Sequence, residues 1–563
     1  MATISSRLVF VTTSPRTLEK VIPEIALLSD NFSGQKWNAD TQTRYMELLR
    51  DEDFFHGEGW NDPAFSARDR ITRTPKALGF VRLRPRIELT EAGRALLSSS
   101  DKPDIFLRQL LKYQLPSPYH RLSDDAARFN VKPFLEVLRL VRVLGKLRFD
   151  ELRAIGLQMT DWHEFPEIVD RIKAFRKARE ESGATYKKFY AAFLRNELMR
   201  VFADRISQGK IKTREKREVS LESFLTTQMG NTRDYADAFF RYLRATGLVQ
   251  VSHRGKSMSV VPEREKEVDY ILENIDRQPG RFENEESYIA YLGDPLSVRL
   301  LTDDREYLST RLETSFPEIN VGGDMSVEQL RDTLNVQLGR RRERNIRELS
   351  EKIRNREFYD DIQSTFDLMR GDRLYDAPLI FEWNIWRAMT MIDGGDIRAN
   401  LKFDDFGNPM STAPGNMADI VCDYGDFMVC VEATLQGGQR QYESEGEPVS
   451  RHLGKLKKQS GKPCYALFVA PSINDACVAH FFALHNMNIS YYGGHSVIVP
   501  LPLELFRAML HASGSVASST SAEDIRRFFE YSEWLARRCG SEIEWYEGIK
   551  SMAAAWPDSL SCV

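Results

Sequence analysis

The sequence predicts a multidomain α+β protein with a mainly helical N-terminal half of winged-helix-like modules, a helical linker and a C-terminal α/β domain. Three observations predict this class. Basic helix-and-hairpin patterns recur in the first 265 or so residues, residues 266–370 are polar and helix-forming, and the remainder alternates short apolar runs with helical segments. A chain of 563 residues exceeds what one hydrophobic core organises. We place the domains at 1–270, 271–345 and 346–563.

The composition is that of an ordinary globular protein, with 42% hydrophobic and 28% charged residues. No apolar run has the length of a membrane span, and the N-terminus lacks the layout of a signal peptide, so a cytoplasmic protein without membrane contact is expected. The six cysteines form no CxxC pair, which favours free thiols over a zinc site or a disulfide framework. A net charge of −4 means that any binding of nucleic acid must come from local basic patches.

The strongest such patch lies in the first predicted module, where residues 66–86 contain seven basic residues and one acid. A helical stretch leads into Gly79, a short basic hairpin follows, and Thr90 caps the next helix. This order is typical of a winged helix, which places one helix in the major groove of DNA and its wing along the backbone. A solvated basic face is the alternative. The candidate DNA-binding residues are Arg68, Arg70, Arg73 and Lys76.

Two further segments, 131–152 and 235–262, show the same order of helix, glycine and short strand, so the N-terminal half is predicted to be an array of such modules. The linker contains leucines at near-helical spacing and the triplet 340–342 of arginines. A solvated helical spacer is the simplest interpretation of this segment.

The C-terminal domain contains a predicted β-hairpin, with apolar runs at 420–422 and 427–431 around a turn at 423–426. Asp419 begins the first strand and Glu432 ends the second, so the two carboxylates should be neighbours, and Glu445 follows after a Gly-Gly break. Three acids close together repel each other, and a divalent cation relieves the repulsion. Ligands that are all oxygen favour Mg²⁺. Strand-end acids that are merely solvated remain the alternative on pattern alone.

The order of strand Asp, hairpin, strand Glu, helix and strand is the layout of the PD-(D/E)XK nuclease core, in which the acids hold Mg²⁺ against the scissile phosphate. The usual lysine two residues after the glutamate is replaced here by Thr434. Upstream, Glu382 lies between Phe381 and Trp383 on a predicted apolar helix, which is an unusual place for an acid that only confers solubility.

The chain resembles the AlwI-type family of type IIS restriction endonucleases from about residue 10 to 510. The residues that carry the resemblance are FSARDR and GFV in 65–81, LTEAG (89–93), FEW (381–383), PGN (414–416), DFMVCVEAT (426–434), ESEGEPVSRH (443–452) and YALFVAPSIN (465–474). That family also has threonine where the broader pattern has lysine, so Thr434 fits it.

The resemblance implies that Asp419 and Glu432 are metal ligands for Mg²⁺ and that Glu445 completes the acidic site. Glu382 matches a further family acid, and His452 is a candidate for contacting phosphate or positioning water, with a structural histidine as the alternative. It also implies an N-terminal half that reads a short asymmetric site in double-stranded DNA and a C-terminal half that cuts a few base pairs away.

One set of acids hydrolyses one strand at a time, so cutting both strands calls for a transient homodimer or a small partner subunit. The open alternatives are a site-specific strand-nicking endonuclease or the large subunit of a heterodimeric enzyme. From another class, the alternative is a winged-helix DNA-binding regulator without catalysis.

Overall fold

The computed structural model describes residues 3–52, 55, 62–124, 126–213, 216–369, 371, 373–392, 395–514 and 520–556. The chain divides into two compact units, Met1–Gln337 and Leu338–Val563. It passes from one unit to the other inside a single long helix, and this division falls within the predicted linker at 271–345. The architecture is mixed α+β and rich in helix, as the sequence predicts.

The first unit consists mostly of helices with short strands between them. In chain order its elements are β1 (Thr3–Ile4), α1 (Val21–Phe32), α2 (Ala39–Asp51), α3 (Pro63–Thr72), α4 (Thr74–Ala77), β2 (Val81–Arg82), β3 (Glu88–Leu89), α5 (Glu91–Ser98), α6 (Lys102–Lys112), β4 (Arg121–Leu122), α7 (Pro133–Leu144), β5 (Leu147–Arg148), α8 (Phe149–Ala154), α9 (Phe165–Ser182), α10 (Tyr186–Val201), α11 (Ala203–Ser207), α12 (Leu221–Ala245), β6 (Val249–Ser252), β7 (Ser257–Val260), α13 (Glu265–Asn274), α14 (Glu285–Gly293) and α15 (Arg305–Ser315).

The first predicted module has the expected order of elements. Helices α1 to α4 precede an antiparallel hairpin in which Val81 pairs with Leu89. Thr90 caps α5 by accepting the backbone N–H of Gly93, and its own hydroxyl donates to the carbonyl of Gly79. Gly79 is in the left-handed region at φ 77°, and a side chain there would collide with the backbone of Leu292. Glycine is therefore required where the helix turns into the hairpin.

The second and third predicted modules share one sheet, which differs from the two separate modules expected from the sequence. Strand β5 pairs with β7, and β7 pairs with β6, to give the order β5-β7-β6. Leu147 lies opposite Met258, more than a hundred residues later. The physical reason is that a strand of two residues cannot bury its apolar side alone, and the hairpin of β6 and β7 supplies the missing neighbours.

The predicted linker is structured where it belongs to the first unit. The guanidinium of the buried Arg108 makes a paired contact with the carboxylate of Asp303, and Lys112 donates to the carbonyls of Leu292 and Asp294. These bonds join α6 to the segment around α14, so residues up to Gln337 belong to the first unit.

Asp101, the N-cap of α6, gives the first unit a pH-dependent stability. Burial and the neighbouring Asp104 raise the pKa of Asp101 to about 7. A carboxyl whose folded pKa exceeds the unfolded value of about 3.9 holds a proton that the unfolded chain releases. Stability of the unit is therefore expected to fall as pH rises from about 4 to about 7. Asp101→Asn keeps the acceptor for the N–H of Asp104. The denaturant midpoint of the variant minus that of wild type should be larger at pH 8 than at pH 4. An equal difference at both pH values would contradict this prediction.

The second unit is built on a sheet covered by helices. Its elements are the end of α16 (Val327–Arg354), then α17 (Tyr359–Leu368), α18 (Ala377–Ile392), β8 (Asp396–Ala399), β9 (Lys402–Phe403), β10 (Pro409–Ser411), β11 (Ile420–Asp423), β12 (Met428–Ala433), α19 (Gln439–Ser460), β13 (Cys464–Ala470), α20 (Asp475–Asn486), β14 (Ile498–Pro502), α21 (Leu503–Ala512), α22 (Ala522–Ala536) and α23 (Glu542–Ala554).

Five strands form one mixed sheet in the order β14-β13-β12-β11-β8. Strands β8, β11 and β12 are antiparallel, while β12, β13 and β14 are parallel and connected by the crossover helices α19 and α20. The predicted hairpin is present, with Ile420 opposite Val431. Every residue of β13 is buried, which is typical of a central parallel strand covered on both faces.

Across the described parts of both units, no helix has the combination of length and apolar composition that crossing a bilayer requires.

Candidate active site

Asp419 and Glu432 meet at one end of the antiparallel pair of β11 and β12. Because Ile420 lies opposite Val431, the residues just outside that pair, Asp419 and Glu432, are also opposite each other. Asp419 Oδ2 accepts the backbone N–H of Ala433 at 2.8 Å, and the carbonyl of Asp419 accepts the N–H of Asn400. The backbone of the sheet thereby fixes the first acid beside the second.

His452 reaches the site from α19 and contacts Glu432. Its Nδ1 is 2.7 Å from Glu432 Oε1, and its Nε2 is 3.3 Å from the carbonyl of Gly415. Burial and the charge of Arg451 lower the pKa of His452 to about 4, so the ring is neutral near pH 7. The carbonyl of Gly415 can only accept, so a hydrogen bond at Nε2 requires a proton on that nitrogen.

Glu445 lies on the same helix, seven residues before His452, and therefore on the same face. The side chain of Thr434 hydrogen-bonds to Glu445 and lowers its pKa, against the larger effect of burial, which raises it. The hydroxyl of Thr434 also accepts the backbone N–H of Gln436 at 3.1 Å. At the position where the broader pattern has a lysine, this chain has a hydroxyl that orients the third acid.

Glu382 joins the group from α18, where it is 8% exposed. Its Oε2 accepts the backbone N–H of Ala413 at 3.2 Å. Burial, and next the charge of Asp419, raise the pKa of Glu382 well above its usual value, with a smaller contribution from Glu432. Glu382 therefore lies close enough to Asp419 and Glu432 for their charges to affect it, and its part in the site stays a prediction.

Repulsion between carboxylates adds to burial in raising the pKa values of Glu382, Asp419 and Glu432, whereas burial raises the pKa of Glu445. Burial is the largest cause for each of them. The next is Glu432 for Asp419 and Glu445 for Glu432, because like charges in a poorly solvated site disfavour ionisation. Glu432 is 5% exposed, whereas Asp419 and Glu445 are only partly buried, so the site has access to solvent.

The donor set fits a divalent cation. All four acids offer carboxylate oxygens, which are the ligands that Mg²⁺ prefers, and a cation would relieve the repulsion that raises their pKa values. In the described ranges, no three His, Cys, Asp or Glu side chains are already arranged as the ligands of a metal ion. Restriction endonucleases as a class generally use Mg²⁺.

Three contributors to the site were missed from the sequence. Arg451 lowers the pKa of Glu432, and Lys455, one turn later on α19, lowers that of His452. The third is the loop from β10 to Asp419, whose backbone binds Glu382 through Ala413 and faces His452 through Gly415. Helical spacing from His452 could have indicated the two cations, but no sequence signal indicates the backbone contacts of the loop.

The four predicted DNA-binding residues lie in the first unit. Three of them form ion pairs, and the fourth does not. Arg70 pairs with the fully buried Glu24, Arg73 with Asp69, and Lys76 with Glu285. Arg68 is exposed and lies over the ring of Phe65 at 5.2 Å. Only Arg68 of the four therefore presents its charge outward without an ion pair among the described residues.

Comparison with known proteins gives a family. Residues 76–509 match the AlwI restriction endonuclease family, which is well over half of the chain. A comparison with curated protein sequences found no match.

Solved structures give further similarities. The small subunit of the heterodimeric restriction endonuclease R.BspD6I is 25% identical with a TM-score of 0.29, covering 36% of this chain and 98% of that one. The BpuJ1 endonuclease binding domain, in complex with pyrene- and phenanthrene-modified DNA, is 13% identical with a TM-score of 0.32, covering 52% and 95%. Restriction endonuclease FokI is 13% identical with a TM-score of 0.23, covering 94% and 99%. The assignment rests on the family match: the chain belongs to the AlwI restriction endonuclease family and is a type II site-specific deoxyribonuclease.

Proposed function

We propose that this enzyme is a type IIS restriction endonuclease that hydrolyses DNA a few base pairs outside a short asymmetric site, with Mg²⁺ at the acidic cluster of the second unit. The observation that supports it most is the position of Asp419 opposite Glu432 across β11 and β12, where Glu445 raises the pKa of both acids and both raise the pKa of Glu382. The order of β11, β12, α19 and β13 around this pair supports a PD-(D/E)XK-like cleavage domain.

Asp419 and Glu432 would hold the ion, and Glu445 would complete its ligands. When bound, the ion polarises a phosphoryl oxygen and lowers the pKa of the attacking water. The protein's own contribution is orientation. Ala433 N–H holds Asp419, the Thr434 side chain holds Glu445, and the Ala413 N–H holds Glu382.

His452 acts in this proposal through Glu432. A neutral imidazole at 2.7 Å fixes the orientation of that carboxyl. Arg451 and Lys455 provide positive charge beside the site, in a protein whose pattern lacks the usual lysine. Positive charge there favours a bound phosphate, because developing negative charge is stabilised most in a poorly solvated site.

The first unit is the reader in this proposal. The order α7, β5, α8, α12, β6, β7, with β5 pairing β7, supports a winged helix with a long insertion after α8. Helix α12 takes the place of the helix that enters the major groove, and the turn between β6 and β7 carries His253, Arg254 and Lys256 as a wing. A reader in one unit and a cutter in the other account for cleavage away from the recognised sequence.

Plasmid cleavage tests the proposal. We expect no cleavage in EDTA, restoration on adding Mg²⁺, and run-off sequencing of both strands that shows breaks at a constant offset from one asymmetric sequence. Cleavage that ignores EDTA would contradict the metal site, and breaks inside a symmetric site would contradict type IIS cutting.

A second candidate is a strand-nicking endonuclease or the large subunit of a heterodimer. The acidic cluster around Asp419 favours it. One such cluster cuts one strand at a time, and cutting the second strand needs another copy. Supercoiled plasmid separates the two candidates, because nicking stops at open circles whereas a homodimer gives linear product. The family assignment decides against the non-catalytic regulator.

A further inference from the structure

The segment from Arg171 to Arg217 has a charge opposite to that of the whole protein. It contains fifteen Lys and Arg residues and five Asp and Glu residues, a formal charge of +10, in a chain with a net charge of −4. It includes most of α9, then α10 and α11, and forms the insertion between α8 and α12 of the first unit. Local positive charge of this size in an acidic protein points to an anionic partner.

Two arginines of this insertion, Arg176 and Arg179, pair with acids of the neighbouring helix α8. Arg176 makes a paired contact with the fully buried Glu151 at 2.8 and 2.9 Å, and Arg179 donates to Asp150 at 2.7 Å. Both acids belong to α8. A planar guanidinium suits such paired contacts, so these arginines fix the insertion to the rest of the unit.

Four lysines face solvent instead, and we call them the lysine tip: Lys173, Lys177, Lys187 and Lys188. Lys177, Lys187 and Lys188 have no ion-pair partner in the part of the chain that the structure describes. Lys173 has only a contact of 3.9 Å with Asp170, and both side chains are more than 60% exposed. The charge of the lysine tip is therefore available to a partner.

Aromatic packing brings the lysine tip together. Helices α9 and α10 are joined by the short turn Gly183–Thr185, and Phe175 packs against Phe193 at 4.7 Å and Phe189 at 5.9 Å between ring centroids. Lys173 and Lys177 flank Phe175 on α9, one turn apart, and Lys187 and Lys188 lie just before Phe189 on α10. Lys177, Lys187 and Lys188 therefore lie in the part of the helical hairpin that adjoins its turn, and Lys173 lies one helical turn farther along α9.

The position of Lys187 and Lys188 is costly for an isolated helix. They occupy the first turn of α10, which has no acidic residue. Positive charge at a helix N-terminus is unfavourable because the helix dipole is positive there, and the same end attracts phosphate. A phosphate partner converts this unfavourable placement into a favourable one.

We propose that the lysine tip binds the phosphate backbone of duplex DNA next to the groove that α12 reads. This rests on the proposed function, in which the first unit is the reader. Helix α10 packs directly on α12, so the tip and the proposed reading helix are parts of one rigid structure. The tip holds the duplex through its backbone and supplies affinity that is independent of sequence.

The test compares matched pairs of Lys→Gln exchanges at exposed positions, where Gln keeps helix propensity and the fold. One variant is Lys173→Gln/Lys177→Gln, the second is Lys187→Gln/Lys188→Gln, and a third combines all four. The control is Lys266→Gln/Lys352→Gln, two exposed helical lysines elsewhere in the chain. Binding is measured in EDTA from about 50 to about 200 mM salt, on a duplex carrying the site mapped by run-off sequencing and on a duplex of equal length without it.

Each phosphate contact contributes about 0.9 to the slope of log affinity against log salt, so each pair should lower the slope by about 1.8 and the quadruple variant by about 3.6. Affinity should fall by the same factor on both duplexes, since phosphates carry no sequence information. A slope equal to that of the control would overturn the proposal, and so would a loss confined to the duplex with the site. Failure of the proposed function would appear instead as wild-type protein that does not cleave or that ignores EDTA.

Discussion

Exchanging Asp419 for Asn is expected to reduce DNA cleavage by roughly 10³-fold or more, because a lost metal ligand removes several kcal/mol of transition-state stabilisation. The amide oxygen of Asn can still accept the N–H of Ala433, so the loop and sheet should remain in place. Cleavage of supercoiled plasmid in Mg²⁺ measures the effect. The matched control is Asp423→Asn at the other end of β11, where the carboxylate pairs with Lys462 at 2.9 Å. Equal cleavage by wild type and the Asp419 variant would remove Asp419 from the site.

The same exchange should raise the stability of the metal-free protein. Burial and the charge of Glu432 raise the pKa of Asp419 well above its usual value. The folded protein then binds a proton that the unfolded chain releases, so stability is lost as pH rises above the usual carboxyl range. In EDTA at pH 8, Asp419→Asn should unfold at a higher temperature than wild type. Adding Mg²⁺ should stabilise wild type more than the variant, because only binding to the folded state shifts the midpoint.

Exchanging Arg70 for Ala is expected to destabilise the first unit by about 3–5 kcal/mol, the usual cost of removing one partner of a buried ion pair. Glu24 is fully buried, and its pKa is raised by burial and lowered by Arg70, so losing Arg70 leaves a buried carboxyl without its counter-charge. Denaturant unfolding measures the loss. The double variant Arg70→Ala/Glu24→Gln should recover part of it, since it no longer buries an unpaired charge.

Arg68→Ala is the control for this prediction, two positions away on the same helix. Arg68 is exposed, so its loss should change stability by less than about 0.5 kcal/mol. If Arg68 contacts phosphate, its removal should lower the salt slope of DNA binding by about one. A large loss of stability in Arg68→Ala, or none in Arg70→Ala, would contradict the assignment of these two residues.

The nuclease half could be read largely from the sequence because its determinants are local. Two short apolar runs around the turn at 423–426 predicted the hairpin, and the midway position of that turn placed Asp419 beside Glu432 at its open end. The interactions that orient these acids could not be read, since the N–H of Ala413 and the carbonyl of Gly415 come from a loop with no pattern.

The first unit was predicted less completely because its determinants are distant in sequence. Arg70 and Glu24 are separated by 46 residues, so the basic segment gave no sign that Arg70 is used inside the protein. The pairing of β5 with β7 likewise joins segments that were predicted as separate modules.

The sequence by itself determined the class of the protein, its acidic residues and the excess of positive charge in residues 171–217. Only the tertiary structure decided which of those charges are neutralised inside the fold and which face outward. The reason is physical: formal charge belongs to a residue type, whereas burial, pairing and pKa depend on neighbours that the chain supplies from elsewhere. Burial and the neighbouring Glu432 raise the pKa of Asp419, whereas Lys187 is exposed to solvent.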